Sequence, residues 1–277
     1  MYISVFYEHI LEAAAQENLS VEEVLKIVKS SQIDGVELDY GRLLDKEGEG
    51  ERIYRQLASE GLAVNGVYGF FDFGKKADYL PGAAFIDQAV GIGAKSVLII
   101  PGFIEEGLEK ERAEKEIQNM MAVVRELAAI GREKGITVAM EDFDDIKAPF
   151  ATAGQLLAFL KQVPGLTCAF DTGNFLYSEE DVIQAFELLA PYIGIVHCKD
   201  RSLTPKRGEE PKLTVKGRAM YSSPVGFGDI PMKQLISLVK ENAGKQNRGD
   251  MTFIIEHFDS RHQLEDMQKS AAWLLAQ

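Results

Sequence analysis

Short apolar runs alternate with longer amphipathic segments along the whole chain. The short runs are rich in Val, Ile and Phe, and the longer segments carry apolar residues at intervals of three and four, as one helix face does. Because the two kinds of segment alternate, the pattern predicts parallel strands joined by crossover helices. The predicted strands are Ile3–Phe6, Val36–Leu38, Ala63–Val67, Ser96–Ile100, Thr137–Met140, Thr167–Phe170, Ile193–His197 and Thr252–Ile255.

Local signals mark where the intervening helices begin and end. Ser20 followed by Glu23 predicts a capping box. Gly61 and Gly135 each follow a helical segment and directly precede a strand, which is typical of short connections between packed βα units. The later helices are predicted at Lys110–Lys134, Thr152–Lys161, Glu179–Leu189, Met232–Asn242 and Gln263–Leu275.

Eight such βα units, with no Pro- or Ser-rich linker between them, predict an α/β protein with a single (β/α)8 TIM barrel over residues 1–277. An open, doubly wound sheet is the alternative, because the pattern alone does not prove that the sheet closes. One connection is unusually long. The segment after the seventh strand, about residues 200–230, is polar and is expected to cover the mouth of the active site.

Composition narrows the class of partner. The chain has 277 residues, 46% of them hydrophobic, and a net charge of −13. Such an acidic protein repels phosphate backbones, so no nucleic acid partner is expected; the most basic segment, Lys206–Arg218, is interrupted by Glu209 and Glu210. No apolar run is long enough to cross a bilayer, so no membrane partner is expected. Cys168 and Cys198 lie in apolar strand segments and indicate buried, reduced thiols of a cytoplasmic protein.

Reactive side chains follow four consecutive predicted strands. Glu141, Asp171, His197 and Glu256 stand at the ends of strands five to eight. Each alone could cap a helix or meet solvent. Because the carboxyl ends of barrel strands converge, however, three carboxylates would repel one another at one point unless a cation lay between them. One imidazole with carboxylates suits a single divalent ion such as Mn2+, Mg2+, Co2+ or Zn2+.

Neighbouring polar residues are candidates for substrate binding. Lys199, two residues past His197, shares its inward orientation if the strand continues; the alternative is a solvent-facing salt bridge with Asp200. Asn174 could bind substrate or cap the helix predicted at residue 179.

Two residues near the first two strands are further candidates for the pocket wall. His9 lies just past the first strand and Glu37 lies inside the second, and both are predicted to contact substrate. By contrast, His257 follows Glu256 directly, and strand alternation predicts that it points away from the site.

Five short motifs occur in a set order along the chain, and each is weak evidence by itself. They are Met140–Asp142, Phe170–Asn174, Val196–Asp200, Gly226–Ile230 and Ile255–Glu256. The ordered set resembles the xylose isomerase-like TIM barrel superfamily, and within it most of all the sugar phosphate isomerase/epimerase group. The resemblance spans the whole chain.

The resemblance implies one divalent metal ion bound by Glu141, Asp171, His197 and Glu256. In ketose epimerases of this group the two metal-binding glutamates also face opposite sides of the substrate and move protons, a role that would belong to Glu141 and Glu256. The implied function is a metal-dependent isomerase or epimerase for a small-molecule sugar or sugar phosphate, acting through an enediolate. Barrels of this kind often pair, so a homodimer or homotetramer is expected.

Three departures from the family pattern leave the substrate open. Asn174 stands where a His is frequent, Lys147 near the place of a Glu of the epimerases, and Phe227 where Glu is common. A dehydratase of the inosose or dehydroshikimate type therefore remains an alternative, as does a non-catalytic sugar-binding barrel. An abasic-site endonuclease of the same fold would need several more histidines than the four present here, and the acidic charge opposes it.

Overall fold

The computed structural model describes residues 1–44, 47–205, 207–247, 249 and 251–277. Lys206, the first residue of the basic segment, therefore lies outside the described residues. In chain order the strands are β1 (Tyr2–Phe6), β2 (Gly35–Asp39), β3 (Ala63–Phe70), β4 (Ser96–Ile100), β5 (Thr137–Glu141), β6 (Thr167–Asp171), β7 (Ile193–Cys198), β8 (Asp200–Ser202), β9 (Lys212–Leu213), β10 (Ala219–Ser223) and β11 (Thr252–Ile255).

Eight parallel strands form a closed barrel in the order β1-β11-β7-β6-β5-β4-β3-β2. The ring closes at β1, where Val5 is in register with Ile255 of β11 on one side and with Val36 of β2 on the other. An open sheet would leave two unpaired edges, so this pairing confirms the predicted single (β/α)8 barrel. Each of the eight predicted strands coincides with a barrel strand.

Helices surround the barrel, and none in the described part of the chain has the length and apolarity that a bilayer crossing needs. In chain order they are α1 (Tyr7–Glu17), α2 (Val21–Ser30), α3 (Tyr40–Leu44), α4 (Glu49–Ser59), α5 (Leu80–Gly91), α6 (Lys110–Lys134), α7 (Ala153–Gln162), α8 (Asn174–Tyr177), α9 (Val182–Leu189), α10 (Met232–Lys245) and α11 (Gln263–Leu275).

The predicted boundary signals act as expected, with one exception. The Ser20 hydroxyl accepts a hydrogen bond from the N–H of Glu23 at 3.2 Å, which completes the capping box of α2. Gly135 has a left-handed φ of 70° directly after α6, a conformation that glycine adopts at little cost. Helix α9 begins at residue 182 rather than 179, because Asp181 caps it and Glu179 has a positive φ of 59°.

The long segment after β7 contains a small antiparallel sheet with the order β8-β10-β9. Its polar sequence predicted only a loop. The strands are two to five residues long, too short for a clear alternating pattern. Arg201 of β8 pairs with Ser222 of β10, and Lys212 of β9 pairs with Met220 of the same strand. The central strand β10 thereby fixes the positions of both cationic residues.

The apolar core lies between the barrel and the helices. Phe170 of β6 is fully buried there, and its ring packs against Phe175 of α8 and Phe186 of α9 with centroid distances of 5.1 and 5.8 Å. Cys168 and Cys198 are free and fully buried. This core gives the strands the fixed positions on which the site depends.

Replacing Phe170 by Ala is expected to reduce the free energy of unfolding by about 3–5 kcal/mol, since the surrounding aromatic rings collapse only partly into the cavity. Urea denaturation followed by fluorescence measures the change. Leu188→Ala is the matched control, because Leu188 is 44% exposed and its truncation leaves no cavity. Equal losses in the two variants would contradict the assigned core position.

Candidate metal centre

The barrel brings the four predicted ligands together at its carboxyl end. Glu141 ends β5, Asp171 ends β6, His197 lies in β7 and Glu256 follows β11. All four are buried, and each offers one nitrogen or oxygen atom such that these atoms lie within 4.8 Å of one another. Adjacent parallel strands produce this clustering because their ends reach the same level of the barrel.

The donor atoms themselves suit a cation. The Asp171 Oδ1 accepts hydrogen bonds from the N–H groups of Gly173 at 2.7 Å and Asn174 at 2.8 Å. Its Oδ2, the Oε2 of Glu141 and the Nδ1 of His197 are buried without a hydrogen-bond partner among the described residues. The last two atoms lie 2.8 Å apart. Three carboxylates and one imidazole thus converge at a single buried point, a donor set that fits a divalent ion of the predicted kind.

The electrostatics of the cluster support the same conclusion. Burial raises the pKa of Glu141, and it raises the pKa of Asp171 to about 7, with Lys199 opposing and Glu256 adding to the effect. Burial alone would lower the pKa of His197, but the neighbouring carboxylates outweigh it and raise that pKa. The protein by itself therefore disfavours several carboxylate charges here, and a bound cation would stabilise them.

Glu37 lies beside the imidazole of His197 and does not line the cavity at the mouth of the barrel. Its Oε2 lies 3.2 Å from Nε2 of His197, while Nδ1 of the same ring faces the ligand cluster. A β-carbon on Gly66 would come within 3.0 Å of the Glu37 carboxylate, so glycine at this position leaves room for that side chain. A carboxylate behind a ligating histidine fixes the ring orientation and raises its basicity.

Replacing Glu37 by Gln is expected to weaken metal binding by about 10- to 100-fold, the range typical of lost partners behind a ligating histidine. Titration of chelator-treated protein with Mn2+ or Zn2+, followed by calorimetry, measures the affinity. Glu187→Gln removes the same charge from an exposed helix position and should leave the affinity unchanged. If the two variants bind metal equally, Glu37 does not have this role.

Lys199 and Asn174 join the cluster. The Lys199 ammonium lies 2.5 Å from Glu256 and 3.3 Å from Asp171, and it donates a hydrogen bond to Oδ1 of Asn174 at 2.7 Å. The side-chain amide of Asn174 donates in turn to the carbonyl of Asp142 at 2.8 Å. Asn174 thus does not cap the following helix, as one alternative had it, but orients the lysine above the carboxylates.

The alternative salt bridge between Lys199 and Asp200 is wrong. Lys199 is only 5% exposed, and the Asp200 carboxylate instead accepts hydrogen bonds from the N–H groups of Gly226 and Gly228, both at 2.9 Å, and of Ile230 at 3.3 Å. A β-carbon on Gly228 would lie 2.1 Å from this carboxylate, so the turn needs glycine there. The Gly226–Ile230 motif therefore anchors the long loop.

His9 lies behind the cavity wall and not in it. Its Nε2 accepts a hydrogen bond from the N–H of His257 at 3.0 Å, and its ring packs on Phe6 and Phe258. Phe6 and Phe258 line the cavity, and His9 packs behind them. His257 points away from the site, as strand alternation predicts, and its ring contacts Ser270 at 2.9 Å.

Two of the three departures from the family pattern also lie apart from the ligands. Lys147 is exposed and does not line the cavity, and Phe227 is 46% exposed on the loop. Asn174 alone contacts the cluster, through Lys199. The departures thus leave the four donor atoms undisturbed.

A cavity of about 290 Å³ opens above the cluster. Its floor includes Glu141, Lys199 and Glu256, and part of its wall is apolar, with Phe6, Tyr68, Phe70, Leu98, Ile100, Phe143 and Phe258. A charged part of the wall contains Asp144, Arg201 and Lys212, none of which the sequence analysis named as a site residue. Arg201 lies two residues beyond Lys199, so the same alternation could have identified it; Lys212 carries no such signal.

Comparison with known proteins identifies the family of the chain. The family described as xylose isomerase-like TIM barrel matches residues 25–277, which include all four clustered residues. The chain belongs to this family. The match confirms the resemblance to the xylose isomerase-like TIM barrel superfamily that the ordered motifs predict. No curated protein sequence matches the chain.

Three solved structures illustrate the range of this xylose isomerase-like fold. The IolI protein with a bound zinc atom has a TM-score of 0.74 at 15% identity, over 100% of this chain and 97% of that one. The probable 3-DHS dehydratase AsbF of Bacillus anthracis has a TM-score of 0.71 at 16% identity, and the match covers 99% of each chain. A sugar phosphate isomerase/epimerase of Parabacteroides distasonis has a TM-score of 0.66 at 13% identity, and the match covers 99% of this chain and 93% of that one. At these identities the likeness shows the fold alone.

Proposed function

We propose that this protein is a metal-dependent sugar or sugar phosphate isomerase/epimerase that moves protons between carboxylates and an enediolate. The observation that carries the proposal is the position of Glu141 and Glu256. Both belong to the ligand cluster, and both line the floor of the cavity. Each can therefore hold an ion and also reach a carbon of a bound sugar.

An ion held by Glu141, Asp171, His197 and Glu256 would polarise a substrate carbonyl and its neighbouring hydroxyl and acidify the C–H bond between them. One of the two glutamates accepts that proton, and the same or the other glutamate returns it to the substrate. The Lys199 ammonium, 2.5 Å from Glu256, stabilises the negative charge that develops on the substrate oxygen.

The apolar wall of the cavity serves the same reaction. Phe6, Tyr68, Phe143 and Phe258 surround the space above the carboxylates and limit the water that can enter. Charge interactions are stronger in such an environment, and a reactive enediolate is protected from stray protonation. These side chains also offer a surface on which the carbon face of a sugar can lie.

A β-eliminating dehydratase is the second candidate. The absence of the epimerase-type Glu near Lys147 favours it, and the probable 3-DHS dehydratase AsbF shows that the same fold occurs in a protein named as a dehydratase. Proton removal by a carboxylate begins both reactions. They differ only in whether the intermediate regains a proton or loses a hydroxyl group.

Proton NMR in D2O distinguishes the two reactions. With Mg2+-loaded protein, an isomerase or epimerase should introduce solvent deuterium at the carbon next to the carbonyl of its ketose or ketose phosphate. A dehydratase should instead give an unsaturated or deoxy product from a keto-polyol. Metal-loaded protein that produces neither change across panels of ketoses, their phosphates and keto-polyols would contradict the proposed class of reaction.

A further inference from the structure

We propose that the substrate carries a carboxylate, which Arg201 and Lys212 bind in the cavity beside the metal centre. The inference deepens the proposed function, because it names the class of molecule that the same site accepts. It concerns a part of the cavity that neither the ligand cluster nor the two glutamates account for. Three observations support it: the unpaired donor of Arg201, the charge balance around Asp144 and the position of Lys199 between Asp144 and Glu256.

Arg201 is a buried cation with unused hydrogen-bonding capacity. Its side chain is 2% exposed, yet it lines the cavity. Its Nε has no hydrogen-bond partner within the described residues, and its Nη2 reaches Asp144 only at 3.5 Å. A guanidinium taken out of water normally has its donors paired, and its planar fork matches the two oxygens of a carboxylate. Arg201 therefore lines the cavity with donor capacity that its protein neighbours leave unused.

Asp144 neutralises only part of the surrounding charge. Its Oδ2 lies 2.7 Å from Lys212, 3.5 Å from Arg201 and 3.8 Å from Lys199. Burial raises the pKa of Asp144, but these three cations outweigh it and hold that pKa below its usual range. Asp144 is thus a single negative charge between Arg201 and Lys212, since Lys199 is paired with the ligand carboxylates.

One positive charge is left over after this pairing. It matches a monoanion such as a carboxylate, whereas a phosphate dianion would exceed it. Asp259 also lines the cavity, but among the described residues it forms no ion pair with Arg201 or Lys212. The charge balance therefore favours a carboxylate as the substituent bound here.

The small sheet of the long loop fixes this pair of cations beside the reaction centre. Arg201 and Lys212 lie on β8 and β9, on either side of β10. Lys199 connects them to the metal centre, because its ammonium is 2.5 Å from Glu256 and 3.8 Å from Asp144. A carboxylate held here would thus be only a few bonds from a carbon that Glu256 can deprotonate. Sugar acids and keto-polyol acids have this arrangement.

Binding of three compounds with one carbon skeleton tests the inference. Calorimetry on the Mn2+-loaded protein would compare D-gluconate with D-glucitol, in which a hydroxymethyl group replaces the carboxylate, and with D-glucitol 6-phosphate. We expect gluconate to bind at least about tenfold more tightly than glucitol, as one charge-assisted hydrogen bond can produce. Arg201→Met and Lys212→Met should each remove most of this preference, and Asp144→Asn should increase it because a competing anion is lost.

Lys216→Met is the matched control, since Lys216 lies on the same loop, is exposed and does not line the cavity. It should bind all three compounds as the unmodified protein does. Lys212 is 35% exposed, so its variant keeps the test decisive if Arg201→Met fails to fold. A gluconate preference that survives in both variants would reflect chelation by the metal alone and would overturn the inference. Gluconate binding no tighter than glucitol, or weaker than glucitol 6-phosphate, would also overturn it.

The outcome of this binding test is independent of the outcome of the NMR test of the proposed function. Carboxylate binding is measured by heat and needs no turnover, whereas deuterium incorporation needs no carboxylate preference. Retained gluconate selectivity without any exchange would refute the reaction and leave the carboxylate site intact. Deuterium exchange on neutral ketoses without gluconate selectivity would support the reaction and refute the carboxylate site.

Discussion

Replacing Glu141 or Glu256 by Gln should reduce turnover by about 10²- to 10⁴-fold, the contribution usual for a positioned general acid or base. Gln keeps the shape and one oxygen donor of Glu but cannot carry a proton at neutral pH. Both carboxylates are buried, at 8% and 4% exposure, so solvent does not readily replace them as proton carriers. The measurement is steady-state turnover on the substrate identified by NMR, with metal added in excess.

The control separates proton transfer from the general effect of removing a buried charge. Glu116 is likewise buried, at 5% exposure, but lies in α6 and pairs with Arg112 at 3.5 Å. Glu116→Gln should therefore leave turnover near that of the unmodified protein. If Glu141→Gln or Glu256→Gln binds metal and still turns over at the unmodified rate, that glutamate is not a proton carrier.

Removing the metal with a chelator should abolish turnover and lower the melting temperature, and adding Mn2+, Mg2+, Co2+ or Zn2+ back should restore both. An ion that binds only the folded state stabilises it by about 2.7 kcal/mol at a free concentration 100 times its Kd. The ion should bind tightly because it compensates the repulsion among Glu141, Asp171 and Glu256, which each have a donor atom in a group within 4.8 Å. Differential scanning calorimetry with elemental analysis measures both quantities.

Asp171→Asn should greatly weaken the metal-dependent rise in melting temperature, since it removes one of the three anionic donors. Glu187→Gln removes an exposed carboxylate and should keep the full rise. Protein purified without chelator should contain about one ion per chain. An absence of bound ion after metal is added back, with an unchanged melting temperature, would refute the metal centre and favour a non-catalytic sugar-binding barrel.

The sequence predicted the barrel well because its signals are local. The apolar runs, the capping box at Ser20 and the helix-ending Gly135 each depend on residues within one or two turns of chain. The long loop was less predictable: strands as short as Lys212–Leu213 show no period, and only pairing with β10 defines them. The start of α9 was misplaced by three residues because the Asp181 cap was overlooked.

For the candidate site, the sequence predicted where residues lie along the strands but not which side chains contact one another. Strand ends alone predicted which residues reach the mouth of the barrel, and the structure brings these candidate ligands together. It assigns Glu37 to His197, and it places His9 behind the aromatic wall. Neither arrangement has a signal in sequence, because each partner comes from a distant element.

By itself the sequence determined the eight strands, their alternation with helices and the reactive residue at the end of each of the last four strands. These follow from periodicity and helix punctuation, which act between near neighbours in the chain. Only the tertiary structure decided that the sheet closes at β1 and that Arg201 and Lys212 share Asp144 beside Lys199. The reason is physical: side-chain distances, burial and charge balance arise only when elements far apart in the chain pack against one another.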